Sequence, residues 1–346
     1  MDKYLSPKQV NGQKFRSRII SDRKLFSLVI VVTIFIVITA LISFGILNPY
    51  WNQIIQFSCI ITISALGLNL IYGYTGQFSL GHAAFYGLGA YCSAFITKTL
   101  HHLGYLSFIL GLAAAIIIVM IVSFLIGLPI LRLKSDYLGI ATLGFGIIVK
   151  VLFDNADSVI PALGGSRGML GIPKFTVFPL TYVFFIGAII IIRNFVFSDI
   201  GRSCISIRED DIAADCVGVN TTKYKTLGFV FGSVFAGVAG VLYAHLYSFL
   251  HPSNFDFLKS IDVLLIVVLG GLGSISGTIV AAISWTFLLE GLRVILPPQI
   301  LDWRLVIYPL VLIIIMLIKP MGIGSGMEFK FLKPENNYIE KGNKNL

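Results

Sequence analysis

Four uncharged apolar runs, over 25–47, 106–131, 226–250 and 263–289, decide what this chain can fold into. Each is long enough for the ~20 helical residues that cross a bilayer core of about 30 Å. Backbone in lipid must satisfy its own polar groups, which leaves helices or closed barrels. A barrel is built from short alternating segments, and these runs do not alternate. With 56% hydrophobic and only 12% charged residues, a soluble domain is excluded. The first run is too long for a signal peptide and has no A-x-A-like cleavage site, so it reads as a retained span. The expected fold is an all-α polytopic integral membrane protein.

Starting from the inside, the approximate spans are 25–47, 52–72, 83–99, 106–131, 137–153, 178–197, 225–250, 260–272, 275–296 and 304–319. The net charge of +9 comes from where the basic residues sit and does not indicate a nucleic-acid surface. Lys3, Lys8, Lys14, Arg16, Arg18, Arg23 and Lys24 crowd one end; Lys319, Lys330, Lys333, Lys341 and Lys344 crowd the other. The positive-inside rule then puts both termini in the cytoplasm, with the 132–134 and 202–225 loops, and multi-pass insertion in an inner or plasma membrane follows. About ten helices are expected. Eight crossings plus a re-entrant pair is the rival count, because 260–272 and 275–296 are separated only by Gly270, Gly271, Leu272, Gly273 and Ser274. The organisation is a basic tail over 1–24, a transmembrane domain over 25–319 with a cytoplasmic loop at 198–224, and a polar tail over 320–346.

Two glycine-rich interruptions fall at membrane depth. In the first, glycines 67, 73, 76, 81, 87 and 89 alternate with Asn69, Tyr74, Thr75, Gln77, Ser79 and His82. In the second, Gly270, Gly271, Gly273 and Ser274 interrupt a hydrophobic stretch. Both admit two readings: a broken helix lining a polar path, or small residues that let helices approach closely. A third run, over 163–173 with Arg167, reads as an outward loop. Gly228, Gly232, Ala236, Gly240 and Ala244 recur every fourth residue, a smooth stripe for packing against another span. Lys150, Asp262, Glu290 and Arg293 are ionisable residues within spans, and Glu290 and Arg293 are spaced to pair. They form no acidic chain of the kind a proton relay needs.

The 201–218 segment is a polar island holding Arg202, Arg208, Glu209, Asp210, Asp211 and Asp215. Glu209, Asp210 and Asp211 are expected in the first turn of a short helix, where acids suit the dipole. Ala213 and Ala214 give it a slim face and Gly218 ends it. It reads either as a docking helix or as an acidic loop with no partner. Cys59, Cys92, Cys204 and Cys216 form neither a CxxC pair nor a Cys/His cluster, so no metal or disulfide framework is implied. The chain contains no Gly-Lys dipeptide, hence no P-loop, and neither H-E-x-x-H nor G-x-S-x-G. No catalytic residue and no cofactor is expected. A stand-alone secondary transporter or channel and a membrane enzyme are the competing classes.

From about residue 54 to 322 the chain resembles the LivM-type permease subunit of branched-chain amino-acid ABC transporters. The blocks that carry it are Gly-Tyr-Thr-Gly-Gln-Phe-Ser-Leu-Gly-His over 73–82, Leu-Arg-Leu-Lys-Ser-Asp-Tyr-Leu over 131–138, and Ile-Arg-Glu-Asp-Asp-Ile-Ala-Ala over 207–214. Phe-Ala-Gly-Val-Ala-Gly-Val-Leu-Tyr-Ala over 235–244 and Val-Leu-Gly-Gly-Leu-Gly-Ser-Ile-Ser-Gly over 268–277 complete the set. The resemblance implies that the island is a coupling loop, with Arg208, Glu209, Ala213, Ala214 and Gly218 seated in an ATPase. It implies two ABC ATP-binding subunits, a second LivH-like permease, an extracytoplasmic substrate-binding protein, and alternating access driven by ATP. Gly-Gly-Ser-Arg-Gly over 164–168 stands where the family more often has Gly-Gly-Pro-Asn-Gly. Lys-Pro-Met-Gly over 319–322 stands where Arg-Pro-Gln-Gly is usual. Related permeases carry urea or short amides, which are the alternative cargo to branched-chain amino acids.

Overall fold

Apolar runs that cannot hydrogen-bond to lipid close their backbone bonds on themselves, and helices dominate. The computed structural model describes residues 29–295 except 132 and 134, together with 310, 313, 314, 317, 318, 322, 324 and 328. The basic residues of both tails, Arg132, Lys134, the Arg293 side chain and most of the expected 304–319 span lie outside the described residues. The chain divides into two units, Met1–Pro49 with Phe329–Leu346, and Tyr50–Glu328. In the first, the described helix is α1 (Val29–Ser43).

In the second unit, α2 (Pro49–Leu68) runs on into a π-helical turn (Asn69–Tyr74), and an irregular stretch over 75–81 leads into α3 (His82–Thr99). Then come α4 (Tyr105–Ile130), α5 (Ser135–Asp154), α6 (Phe178–Val196), the short α7 (Asp199–Glu209) and α8 (Asp211–Cys216), and the long α9 (Thr221–Tyr247). A hairpin-like pair, α10 (Phe257–Gly270) and α11 (Ile275–Ile295), follows. Among the described residues, five helical stretches are long and apolar enough to cross a membrane: Pro49–Tyr74, Tyr105–Ile130, Tyr137–Asp154, Phe178–Val196 and Thr221–Tyr247. Helix α10 has only 14 residues, about 21 Å at 1.5 Å per residue, short of the ~30 Å hydrocarbon core. The all-helical expectation has one small exception, in which Met169–Leu170 pairs antiparallel with Phe249–Leu250. There the 163–173 loop folds back onto the end of α9.

The layers follow side-chain size more than polarity. Helix α4 buries Ser107, Gly111, Ala115, Val119, Ser123 and Gly127 at a four-residue interval and exposes Ile109, Ile117, Ile121 and Leu125. In lipid, both faces of such a helix are apolar; what selects the inner face is close approach. The stripe on α9 works the same way. A Cβ at Gly240 would lie 1.9 Å from the Tyr86 carbonyl oxygen of α3, and one at Gly232 would lie 2.5 Å from the Gly67 carbonyl oxygen of α2. Helices α2, α3 and α9 therefore form the packed centre, and the stripe packs within this chain. The buried His245 of α9 bonds the Ser93 hydroxyl at 3.0 Å and the Pro173 carbonyl at 2.8 Å, tying the 163–173 loop to the centre.

Replacing Gly240 with Ala should therefore force α3 and α9 apart, at a cost of about 1–3 kcal/mol, and lower the thermal unfolding midpoint of the detergent-solubilised protein. Gly187→Ala, on α6 where nothing lies within 4 Å, should leave that midpoint unchanged.

Candidate functional site

The two glycine-rich interruptions meet. Asn69, buried in the π-helical turn, accepts a bond from the Gly273 amide at 2.9 Å. Its amide nitrogen donates to the Ser274 carbonyl at 2.9 Å and to the Thr278 hydroxyl at 2.8 Å. One side chain thus satisfies the backbone where α10 turns into α11. The wide π turn makes room for it: a Cβ at Gly73 would sit 1.9 Å from the Asn69 Oδ1, so only glycine leaves space there. The first interruption therefore starts later than the sequence suggests, because 69–74 stays helical. Gly270 likewise ends α10, and the second turn begins at Gly271 (φ 91°).

The irregular stretch over 75–81 is satisfied from several directions. Gly76 and Gln77 donate their amides back to Tyr72 and Ile71. The Leu80 amide donates to Thr142 of α5 at 3.0 Å, and the Ala83 amide to Ser260 of α10 at 2.9 Å. Thr75 bonds the Leu70 carbonyl, Gln77 donates to the Lys225 carbonyl of α9, and His82, at the start of α3, bonds the Ser64 carbonyl at 2.9 Å. Gly81 packs on the Thr142 carbonyl, and Tyr74 is buried beside Glu328. Some polar atoms in this region stay unsatisfied among the described residues: Ser64 Oγ, Gln77 Oε1, Ser79 Oγ and His82 Nδ1. At the far side, the Glu328 carboxylate accepts from the Ile275 amide at 2.6 Å and the Ser276 hydroxyl at 3.0 Å, capping α11.

The polar island touches this junction. It is two helices, where a single short one was expected. Asp210 is extended (φ −158°, ψ 113°) and caps α8, its Oδ1 accepting from the Ile212 and Ala213 amides at 2.9 Å each. A residue that caps cannot also sit in the first turn, so Glu209 ends α7 and only Asp211 occupies the first turn of α8. Gly218 follows in the left-handed region (φ 87°). Lys225 of α9 pairs with Asp211 at 2.5 Å. Ala214 is buried, Ala213 is exposed, and Ile212 and Val217 are each 79% exposed. Arg208 pairs with Glu209 on one side and, on the other, donates to the Gly73 carbonyl at 2.7 Å. Gly76 (φ 73°) lies flat on the Arg208 stem, and a Cβ at Gly273 would fall 2.8 Å from the guanidinium. One arginine therefore touches the ends of both interruptions.

Cys204, on the inner face of α7, is buried against the Tyr224 carbonyl, and burial pushes its thiol up to about 11. Lys150 pairs with Asp256 at 3.3 Å, a partner that the span-by-span reading did not offer. The sequence reading also missed the reach of Arg208, the Thr142 and Ser260 supports, and the exposed Ile212 and Val217. Among the described residues no group of three His, Cys, Asp or Glu is placed to hold a metal ion.

The site is thus a pair of glycine breaks in a helical membrane domain, with a polar two-helix island against them. The family model described as "Branched-chain amino acid transport system / permease component" matches residues 50–316, and the chain belongs to that family. It is 35% identical over 265 residues to the high-affinity branched-chain amino acid transport system permease protein LivM of Salmonella typhimurium, covering 67% of this chain and 61% of that one. The same protein of Escherichia coli (strain K12) matches to the same extent. The LivH protein of Salmonella typhimurium is 27% identical over 283 residues, 75% of this chain and 89% of that one. The chain thus spans about three fifths of the length of the LivM relatives. No solved structure matches it.

The junction itself is testable. Asn69→Ala removes three hydrogen bonds and leaves buried backbone groups unpaired, each costing about 1–3 kcal/mol. Hydrogen exchange over 269–278 should accelerate in this variant while the amides of α4 and α9 keep wild-type protection.

Proposed function

We propose that this chain is the membrane-spanning subunit of an ATP-driven importer that passes branched-chain amino acids inward by alternating access. Both termini and the 198–224 segment face the cytoplasm, and the chain crosses an inner or plasma membrane eight to ten times. The short α10 favours the lower count, with α10 and α11 entering and leaving as a pair. Two ABC ATP-binding subunits supply the hydrolysis, a second LivH-like permease completes the path, and an extracytoplasmic binding protein delivers substrate. This subunit makes and breaks no covalent bond.

The observation that carries the reading is the Arg208 contact. Helices α7 and α8 project an acidic rim with two apolar tips, Ile212 and Val217, suited to a groove on a soluble partner. A force on these helices reaches the Gly73 carbonyl and the Gly271–Ser274 turn through one guanidinium. Charge-assisted hydrogen bonds contribute about 1.5–3 kcal/mol, enough to bias two arrangements of a junction that is itself a break in the helices. The unsatisfied Ser64, Gln77, Ser79 and His82 atoms support a polar path beside it, since buried polar groups are otherwise paired. ATPase closure then moves the island, the island moves both breaks, and the path changes the side to which it opens.

Arg208→Ala in the assembled transporter should abolish amino-acid uptake while ATP hydrolysis persists. Gly218→Asp and Glu209→Lys should block uptake at wild-type membrane abundance. Full uptake in all three variants overturns the coupling role.

The orientation has its own check. Cys216 is exposed, whereas Cys59 and Cys204 are buried and the Cys204 thiol stays protonated well above neutral pH. A membrane-impermeant maleimide at pH 8 should label Cys216 in inside-out vesicles but not in intact cells.

A further inference from the structure

The segment after the last expected span reads in the sequence as the start of a polar tail, yet three of its described residues are anchored on the second glycine break. Gly322 is in the left-handed region (φ 84°), and a Cβ there would lie 2.5 Å from the Val268 carbonyl oxygen and 2.6 Å from the Gly271 nitrogen. Gly324 is buried, and a Cβ on it would fall 2.5 Å from the Gly277 Cα and 2.6 Å from the Gly270 carbonyl oxygen. Backbone therefore lies directly on backbone where α10 turns into α11. Glu328 follows with a carboxylate. Its Oε1 accepts from the Ile275 amide at 2.6 Å, and its Oε2 accepts from the Ser276 hydroxyl at 3.0 Å and the Ser276 amide at 3.4 Å. The buried Tyr74 of the first break stands close to both Glu328 and Arg208.

The turn is thus held from three sides. Asn69 binds Gly273 and Ser274, Glu328 binds Ile275 and Ser276, and Arg208 reaches Gly273 from the island. A turn fastened at one end yields to displacement by deforming locally. When its far end is also fixed among close-packed neighbours, the displacement passes to the helices it joins. A carboxylate at the positive end of α11 is a strong fastening, because its hydrogen bonds are charge-assisted. We infer that Glu328 is a positioning residue for coupling: it fixes the start of α11, so that movement of Arg208 swings α10 and α11 and does not merely deform the turn. The inference rests on the transport reading above and deepens it, making the segment that ends in Glu328 a third arm of the joint beside the island and the π-helical turn. A plain helix cap would stabilise α11 and leave the ratio of ATP hydrolysis to transport alone. A fastening of the joint sets that ratio.

The test reconstitutes the complete transporter in proteoliposomes with its extracytoplasmic binding protein and measures tritiated leucine uptake and phosphate release on the same preparation. Glu328→Ala should raise the ATP hydrolysed per leucine at least threefold in a complex of wild-type subunit composition, and accelerate hydrogen exchange over 275–278. Glu328→Gln keeps the side-chain length and one acceptor oxygen, so its ratio should fall between those of Glu328→Ala and wild type. A smaller rise in Glu328→Ala, or uptake and hydrolysis lost in proportion, overturns the positioning role and leaves the transport reading standing. If Glu328→Ala does not assemble, an unchanged ratio in Glu328→Gln overturns the role in the same way, and a raised one supports it. Absence of ATP-dependent leucine uptake by the wild-type complex overturns the transport reading and the inference with it.

Discussion

A helix that breaks inside a membrane exposes amides and carbonyls that lipid cannot satisfy, so every break must be closed by another part of the protein. In this chain two breaks close each other. Asn69 supplies both donor and acceptor to the Gly271–Ser274 turn, and the π-helical turn that carries Asn69 leaves its own Gly73 carbonyl for Arg208. Three segments far apart in sequence are thereby held at one point, and each depends on the other two. The glycines around this point allow approaches of backbone to side chain that any Cβ would prevent.

The same logic separates what the sequence reveals from what it conceals. Apolar run length requires only one dimension of information, so nine of the expected spans coincide with helices among the described residues. The four-residue stripe on α9 was legible for the same reason: a period along one helix is a face. Its partners on α2 and α3 were not, because contact between distant segments leaves no period. The island shows the limit most clearly. Counting acids toward a helix N-terminus places Glu209, Asp210 and Asp211 together in one first turn. An aspartate at the cap position bonds the following amides only when its own backbone is extended, and that splits the segment between Glu209 and Asp211.

Arg208 illustrates a second kind of concealment. In the sequence it is one charge among several on a polar segment, and the family resemblance places it in a coupling loop facing a partner. Its structural role is turned the other way, toward the membrane domain, where it meets Gly73, Gly76 and Gly273.

The joint and the charged residues Lys259 and Asp262 lie on the same helix. Helix α10 ends at Gly270, beside the turn that Arg208 touches, and Asp262 lies eight residues back along that helix, about 12 Å at 1.5 Å per residue. Between them, Val263, Ile266, Val267 and Leu269 pack with Ala282 and Trp285 of α11 and with Ile61, Ala65 and Leu68 of α2, an apolar cluster that moves as a unit or not at all. A close-packed core of this kind transmits displacement because it has no free volume in which to absorb it. A displacement of the Gly271–Ser274 turn is therefore shared by α10, α11 and this stretch of α2.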